Sequence, residues 1–409
     1  MKKILPIALI FWACTKNNTP TPINPPLDCL ESWQTNRLHG GNKLTASQVP
    51  FLVALQMKFV DAQNKPYYTS CTGSIVSNTW ILTAAHCLSA KTVDQKLDAL
   101  AFAFVSPEYA NLKLYNISQA GVYIHPKYTQ TGTSISRDYD YALINVSQSF
   151  AFGDKVAPVL VRYNDGIPHI YGKTPFTLFT LGWTQLLPEF GTAELLLQAY
   201  QAIQPSPDVN DFLRSRIKPQ TLLGVEITNT KLLAEERIAL DRFSAVVELT
   251  LKNKGTLPGD SGSPLLLLHL GGHYLIGVTS TGSPSYIVQN FLFWAAYARL
   301  ERESNWFFST TGLKEAKIQG SEIVQSGASY QLDIAQTALE YYQKVETYLL
   351  TGDCRWITLP NSQKGKQITT TINQNILRDL PKQTNVRIVF KFYYGGSYHN
   401  VVSKMVQVP

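Results

Sequence analysis

Residues 259–263 read Gly-Asp-Ser-Gly-Ser, followed by Pro264 and the apolar run Leu265 to Leu268. Glycines around a serine let the chain turn tightly, expose a hydroxyl and bring backbone N–H groups close to it. Acyl transfer needs those two things: a nucleophile, and donors aimed where an oxyanion forms. Gly-Asp-Ser-Gly also occurs as a plain turn, so the motif gains its meaning from what lies upstream.

There, Leu82-Thr83-Ala84-Ala85-His86-Cys87 places a histidine in an apolar stretch, and Asp140 enters the apolar run Tyr141-Ala142-Leu143-Ile144. The candidates follow in the order His86, Asp140, Ser261. That order separates one lineage of Ser-His-Asp triads from two others of the same geometry.

Around these residues the chain resembles the trypsin/chymotrypsin type of serine protease, from about Arg37 to about Trp306. Leu38-His39-Gly40-Gly41 resembles the N-terminus made by zymogen cleavage, and Ala46, Pro50 and Phe51 follow in the family's manner. Ile124-His125-Pro126-Lys127-Tyr128 resembles the segment before the aspartate strand, Leu181-Gly182-Trp183 the start of the second half, and Ser280-Thr281-Gly282 the strand that pairs with substrate backbone. The resemblance implies an all-β fold of two antiparallel barrels with the triad in the cleft between them. It implies Ser261 as nucleophile, His86 as general base and acid, and Asp140 as the group that orients the imidazole. It further implies an oxyanion hole from the N–H groups of Gly259 and Ser261, support of Asp140 by Ser280, and a disulfide between Cys71 and Cys87. Cleavage between Arg37 and Leu38 would free an α-amino group to pair with Asp260.

The chain also departs from the family. Ser263 stands where most animal members carry glycine, and His39 replaces an aliphatic residue. The cysteine pair that usually braces the specificity pocket is missing, since Leu257 holds one expected place and no cysteine follows Gly282. Substrate contacts are expected from Gly255, Thr256, Ser280, Thr281 and Gly282. Gly255 falls at the pocket base, where trypsin-like members carry an acid, so the pocket reads as neutral. Lys254 beside it opposes a cation, Gly282 leaves the mouth open, and Leu292 and Phe293 fall near the far wall. A glutamate pocket built on Thr256 lacks its histidine, because Thr279 holds the facing place.

The 409 residues leave room for more than one domain. Charged residues make up 16% and aromatics 11%, which suits a β-rich secreted protein. The net charge of +7 is spread without a basic run, which argues against a nucleic-acid partner. Lys2, Lys3 and the apolar stretch through Ala13 read as a signal peptide over 1–13, too short to span a bilayer. Ala13-Cys14 resembles a bacterial lipoprotein cleavage site, although Phe11 and Trp12 fit it poorly, and ordinary signal cleavage is the alternative. The stretch 14–37, rich in Pro, Asn and Thr, reads as a tether ending at the activation site. If Cys14 carries lipid, four of the five cysteines remain. Cys29 and Cys354 then either pair or stay free. No cysteine has zinc-ligand spacing and the histidines do not cluster, so neither metal nor cofactor is indicated.

Residues 38–312 form the expected catalytic unit, with strands at 51–55, 141–146, 176–181 and 246–251 and an amphipathic helix at 232–243. Residues 297–308 resemble the family's terminal helix. Beyond, 313–409 carry runs at 318–324, 330–334, 356–359, 367–372 and 386–394 with turn signals between them, which predicts a smaller β-sandwich resembling an immunoglobulin-like module. The leading reading is a cell-envelope serine endopeptidase, at the outer membrane or cell surface or else secreted. Its partners would be protein or peptide substrates, an activating protease that cuts after arginine, and the membrane through Cys14. The rival is an inactive homologue whose C-terminal module binds or adheres.

Overall fold

The strand Leu52–Val60 turns back on Pro66–Ile75 through a loop that Asp61 organises. Its carboxylate accepts the N–H groups of Gln63 (3.0 Å) and Lys65 (2.8 Å), and Asn64 takes a left-handed backbone, φ 60°. Asn tolerates that conformation because its short polar side chain can bond locally. The hairpin opens a seven-stranded sheet in the order Tyr115–Ile117, Lys96–Phe104, Leu52–Val60, Pro66–Ile75, Trp80–Thr83, Ala142–Asn145 and Val122–Ile124. The computed structural model describes residues 37–38, 41–43, 49–104 (without 91 and 93), 115–117, 121–131, 134–135, 139–146, 149–152, 158–161, 177–185, 220–227, 245–249, 260–269, 272–287, 290–300 and 304–409 (without 381, 383, 395–396 and 403–405).

A nine-stranded sheet follows, in the order Arg37–Leu38, Gly41–Lys43, Gln220–Ile227, Thr177–Gln185, Pro264–His269, Gly272–Ile287, Asn290–Arg299 and Ala245–Leu249, with Leu160–Val161 beside Gly272–Ile287. Both sheets are predominantly antiparallel, and among the described residues their pairing runs from edge to edge. They share one core, in which Phe51, Leu55, Phe102 and Leu143 meet Leu266, Leu275, Val278 and Phe307. Each large apolar side chain buried there is worth about 1.5–3 kcal/mol, which holds the two sheets face to face.

From Ile318 onward the strands build two smaller sheets of four and five strands. Asn385–Tyr394 alternates, with Val386, Ile388, Phe390, Phe392 and Tyr394 buried, the period-2 pattern of a strand with one face in a core. These residues pack with Leu332, Leu349 and Ile368, and Leu160 and Tyr274 of the nine-stranded sheet join the same cluster. Phe152 adds edge contacts to Tyr341 (6.0 Å) and Tyr394 (5.9 Å). A cavity of about 310 Å³ lies at this junction, lined among others by Leu160, Tyr274, Phe307, Lys317 and Val401, and no candidate catalytic residue borders it. The fold is thus all-β: two sheets around a shared core, with further β-structure at the C-terminal end.

Two expectations need correction or fall outside. The helix read at 297–308 is Ser304–Thr311 only, because Tyr297, Ala298 and Arg299 pair with Thr279, Val278 and Gly277 in the sheet. The helix read at 232–243 lies outside the described residues.

Candidate active site

Antiparallel pairing places Thr83 opposite Ala142. The residues just after Thr83 and just before Ala142 therefore meet at one edge of the sheet. His86 follows on the short helix Ala85–Leu88, and Asp140 precedes the strand Ala142–Asn145. The His86 backbone N–H donates to Asp140 Oδ1 (2.8 Å), and His86 Nδ1 lies 2.8 Å from Asp140 Oδ2. An ionised carboxylate only accepts, so this network assigns the proton to Nδ1 and leaves Nε2 with its lone pair. Ser280 Oγ donates to the same Oδ2 at 2.5 Å. Asp140 is fully buried, and these three donors replace the water it has lost.

Ser280 reaches Asp140 because of a β-bulge. Thr279 pairs with Tyr297 and Thr281 with Ala296, so Ser280 is the extra residue of its strand. Bulges re-aim a side chain, and here the hydroxyl turns onto the carboxylate. On the other side Tyr139 takes φ 60°, a rare conformation for a bulky residue. Its ring stacks on buried His125 (4.9 Å, 7° between planes), and His125 meets Tyr141 and Trp306 edge-on at 4.9 Å each. The stack holds the backbone that aims Asp140. Tyr128 faces the same carboxylate; burial first, and then the Asp140 charge, push its phenol well above the usual range.

Cys71 and Cys87 form a disulfide with Cα atoms 6.2 Å apart, which ties the strand Pro66–Ile75 to the histidine helix. Cys71, His86 and Cys87 also bring ligand atoms within 4.8 Å of one another. The disulfide removes both thiolates, so this trio offers a metal only the imidazole.

Ser261 sits in a turn closed by Ser263 N–H donating to Asp260 O (2.9 Å), with Gly262 at φ 81°. Positive φ at the third residue of a four-residue turn is where glycine is favoured. Two bonds fix the turn to both sheets: Thr72 N–H donates to Ser261 O (2.8 Å), and Gly262 N–H to Thr279 O (2.7 Å). A Cβ on Gly262 would lie 2.9 Å from Ala84 N, two residues before His86, so the turn that carries Ser261 packs directly on the histidine segment. Asp260 is fully buried. Thr281 and Gly282 lie in the strand opposite Ala296 and Ala295, and Arg37 and Leu38 form a two-residue strand at the sheet edge. Gly255, Thr256, Gly259 and Cys14 lie outside the described residues. Sequence reading missed Tyr139 and the partners of Ser263. A bulky residue directly before the aspartate was the available signal for the first, and the family departure at Ser263 for the second.

A family model described as Trypsin matches residues 38–306. The chain is 25% identical to Trypsin 5G1 of Aedes aegypti over 76% of its own length and 98% of that protein. It is 26% identical to Trypsin, alkaline B of Manduca sexta over 66% and 89%, and 25% identical to Serine protease 28 of Mus musculus over 59% and 79%. With two thirds of its length matched by that model and its two-sheet fold built around it, the chain belongs to the trypsin family and is a serine-type endopeptidase that hydrolyses protein or peptide substrates.

Proposed function

We propose that this endopeptidase cuts through an acyl-enzyme on Ser261. The observation that carries the reading is the buried Asp140, which takes both the ring and the backbone N–H of His86 and so leaves Nε2 free to accept a proton. Ser261 Oγ attacks the scissile carbonyl carbon as His86 takes its proton, and the N–H groups of Gly259 and Ser261 stabilise the oxyanion. The histidine returns that proton to the departing amine. Water, deprotonated by the same histidine, then releases the acid and regenerates Ser261. Asp140 stabilises the imidazolium at each stage. The rival, an inactive homologue that binds or adheres, is separated by a fluorophosphonate probe. The enzyme reading requires covalent labelling of the activated wild type on Ser261, and an unlabelled activated protein supports the rival.

The chain reads as a lipid-anchored zymogen of a bacterial cell envelope. The freed α-amino group of Leu38 would enter the protein and pair with buried Asp260, a pair costly to break by removing one partner. An α-amino group has an ordinary pKa of about 7.7–8.0, raised by such pairing. The active form is therefore favoured in full below that range and lost as pH rises through the raised value. Cys354 is disulfide-bonded, and Cys71 and Cys87 are bonded to each other. The pairing that suits the scheme is Cys354 with Cys29, which precedes Arg37. With Cys14 lipidated the link is Cys29–Cys354, so the cut enzyme stays on its anchor. The expected active species starts at Leu38, sits in the membrane fraction and sheds a short N-terminal piece only under reduction, while Cys14→Ser is soluble. Any other N-terminus, or membrane retention of Cys14→Ser, contradicts the scheme.

The neutral pocket at Gly255 should favour a large apolar or aromatic side chain, whose burial is worth roughly 1.5–3 kcal/mol. Cleavage should therefore be biased rather than strict, and Arg37 should need another protease. A peptide library dominated by cuts after Arg or Lys, or rapid self-activation of pure precursor, would overturn that preference.

A further inference from the structure

Ser263, where the family usually has glycine, is fully buried, and its Oγ lies 2.8 Å from Thr279 Oγ1, sixteen residues further along. Thr279 is itself 2% exposed. It meets the nucleophile turn three times: its carbonyl accepts from Gly262 N–H (2.7 Å), its N–H donates to Ser263 O (2.8 Å), and the two hydroxyls share the third bond. The next residue, Ser280, holds Asp140. One short stretch of strand thus grips the nucleophile turn with residue 279 and the triad aspartate with residue 280. The backbone bonds fix the turn's position along the strand. The hydroxyl bond adds a third constraint, from side chain to side chain, that resists rotation about them. Without it, Ser263 leaves a buried hydroxyl that must find another partner, and the cheapest relief is a small roll of the turn that carries Ser261.

We propose that Thr279 and Ser263 are positioning residues for Ser261, a hydroxyl clasp that sets the rotation of the nucleophile turn relative to the bulged strand. The proposal rests on the reading of Ser261 as nucleophile. A displacement of a fraction of an ångström at a reacting atom costs rate rather than affinity, by roughly ten- to a hundredfold.

The test uses the activated full chain and a fluorophosphonate probe, with maximal labelling rate and half-saturating concentration measured separately. Thr279→Val removes the hydroxyl at nearly constant shape, and its maximal rate should fall about tenfold or more with half-saturation unchanged. Thr279→Ser restores the hydroxyl and should restore the rate. Ser263→Ala, which stands in if Thr279→Val does not fold, should lose a similar factor. The double variant Thr279→Val/Ser263→Ala should lose no more than the worse single, because both singles break one bond. A single variant within twofold of wild type, multiplicative losses in the double, or failure of Thr279→Ser to rescue would overturn the clasp. An activated wild type that takes no label would instead sink the reading of Ser261 itself.

Discussion

Ser261→Ala is expected to lower peptide turnover about a millionfold and to leave folding intact. The contacts that hold residue 261 in place are made by its backbone: its carbonyl accepts from Thr72 N–H, and the neighbouring bonds belong to Gly262 and Ser263. Alanine keeps all of them and deletes only the half-buried hydroxyl. Stability should therefore change by less than about 1 kcal/mol, as for most changes that leave packing undisturbed. His86→Ala should cost about as much activity, because nucleophile and base act as one unit and the second loss adds little to the first. Its backbone N–H still reaches Asp140, so the helix that carries it should persist. Turnover of a peptide substrate and thermal unfolding, followed in parallel, check both halves of the expectation. A Ser261→Ala protein that cleaves at the wild-type rate would remove Ser261 from the mechanism.

The approach of His86, Asp140 and the Ser261 turn to one another was legible because each is a local motif and they come in a fixed order. Thr83-Ala84-Ala85-His86-Cys87, the aspartate at the head of an apolar strand, and Gly-Asp-Ser-Gly each carry their own backbone signal, and the pairing of Thr83 with Ala142 does the rest. What was not legible depends on distant partners. Tyr297 to Arg299 read as helix from their resemblance to the family's terminal helix, and the sheet claims them through Gly277, Val278 and Thr279. The strand Lys344–Leu350 escaped notice because charged and polar residues occupy its first half, and only its neighbours Trp356–Leu359 and Asn385–Tyr394 make it a strand. Ser280 could be named from resemblance, but not the bulge that turns it. Tyr139 shows the same limit: nothing in its own sequence neighbourhood favours a tyrosine at φ 60°, and its ring is held by the stack on His125 and by Lys127 Nζ 5.0 Å over it.

Gly262→Ala is expected to do more structural damage than the same change at Gly73, Gly277, Gly312, Gly320, Gly327 or Gly365. Two costs coincide at this position. Its φ of 81° is one that a residue with a side chain reaches only at about 1–3 kcal/mol. A Cβ there would also stand 2.2 Å from Thr83 Oγ1, 2.3 Å from Thr72 O and 2.9 Å from Ala84 N. Two of these atoms are backbone, and the third is tied down, since Thr83 Oγ1 donates to Thr72 O at 2.7 Å. The obstruction cannot swing aside as a flexible side chain would. To admit the methyl, the turn that carries Ser261 must part from the seven-stranded sheet, which breaks the bond from Thr72 N–H to Ser261 O and separates Ser261 from the histidine segment. A loss above about 4 kcal/mol follows, a large part of an ordinary domain's 5–15 kcal/mol. Gly312→Ala isolates the conformational share: its φ is 69°, yet nothing lies within 4 Å of the added Cβ. That variant should lose only about 1 kcal/mol and keep full labelling by a fluorophosphonate. Urea midpoints and labelling of the two proteins side by side decide the point, and a Gly262→Ala protein no weaker than Gly312→Ala would mean that the two sheets are not locked together at this turn.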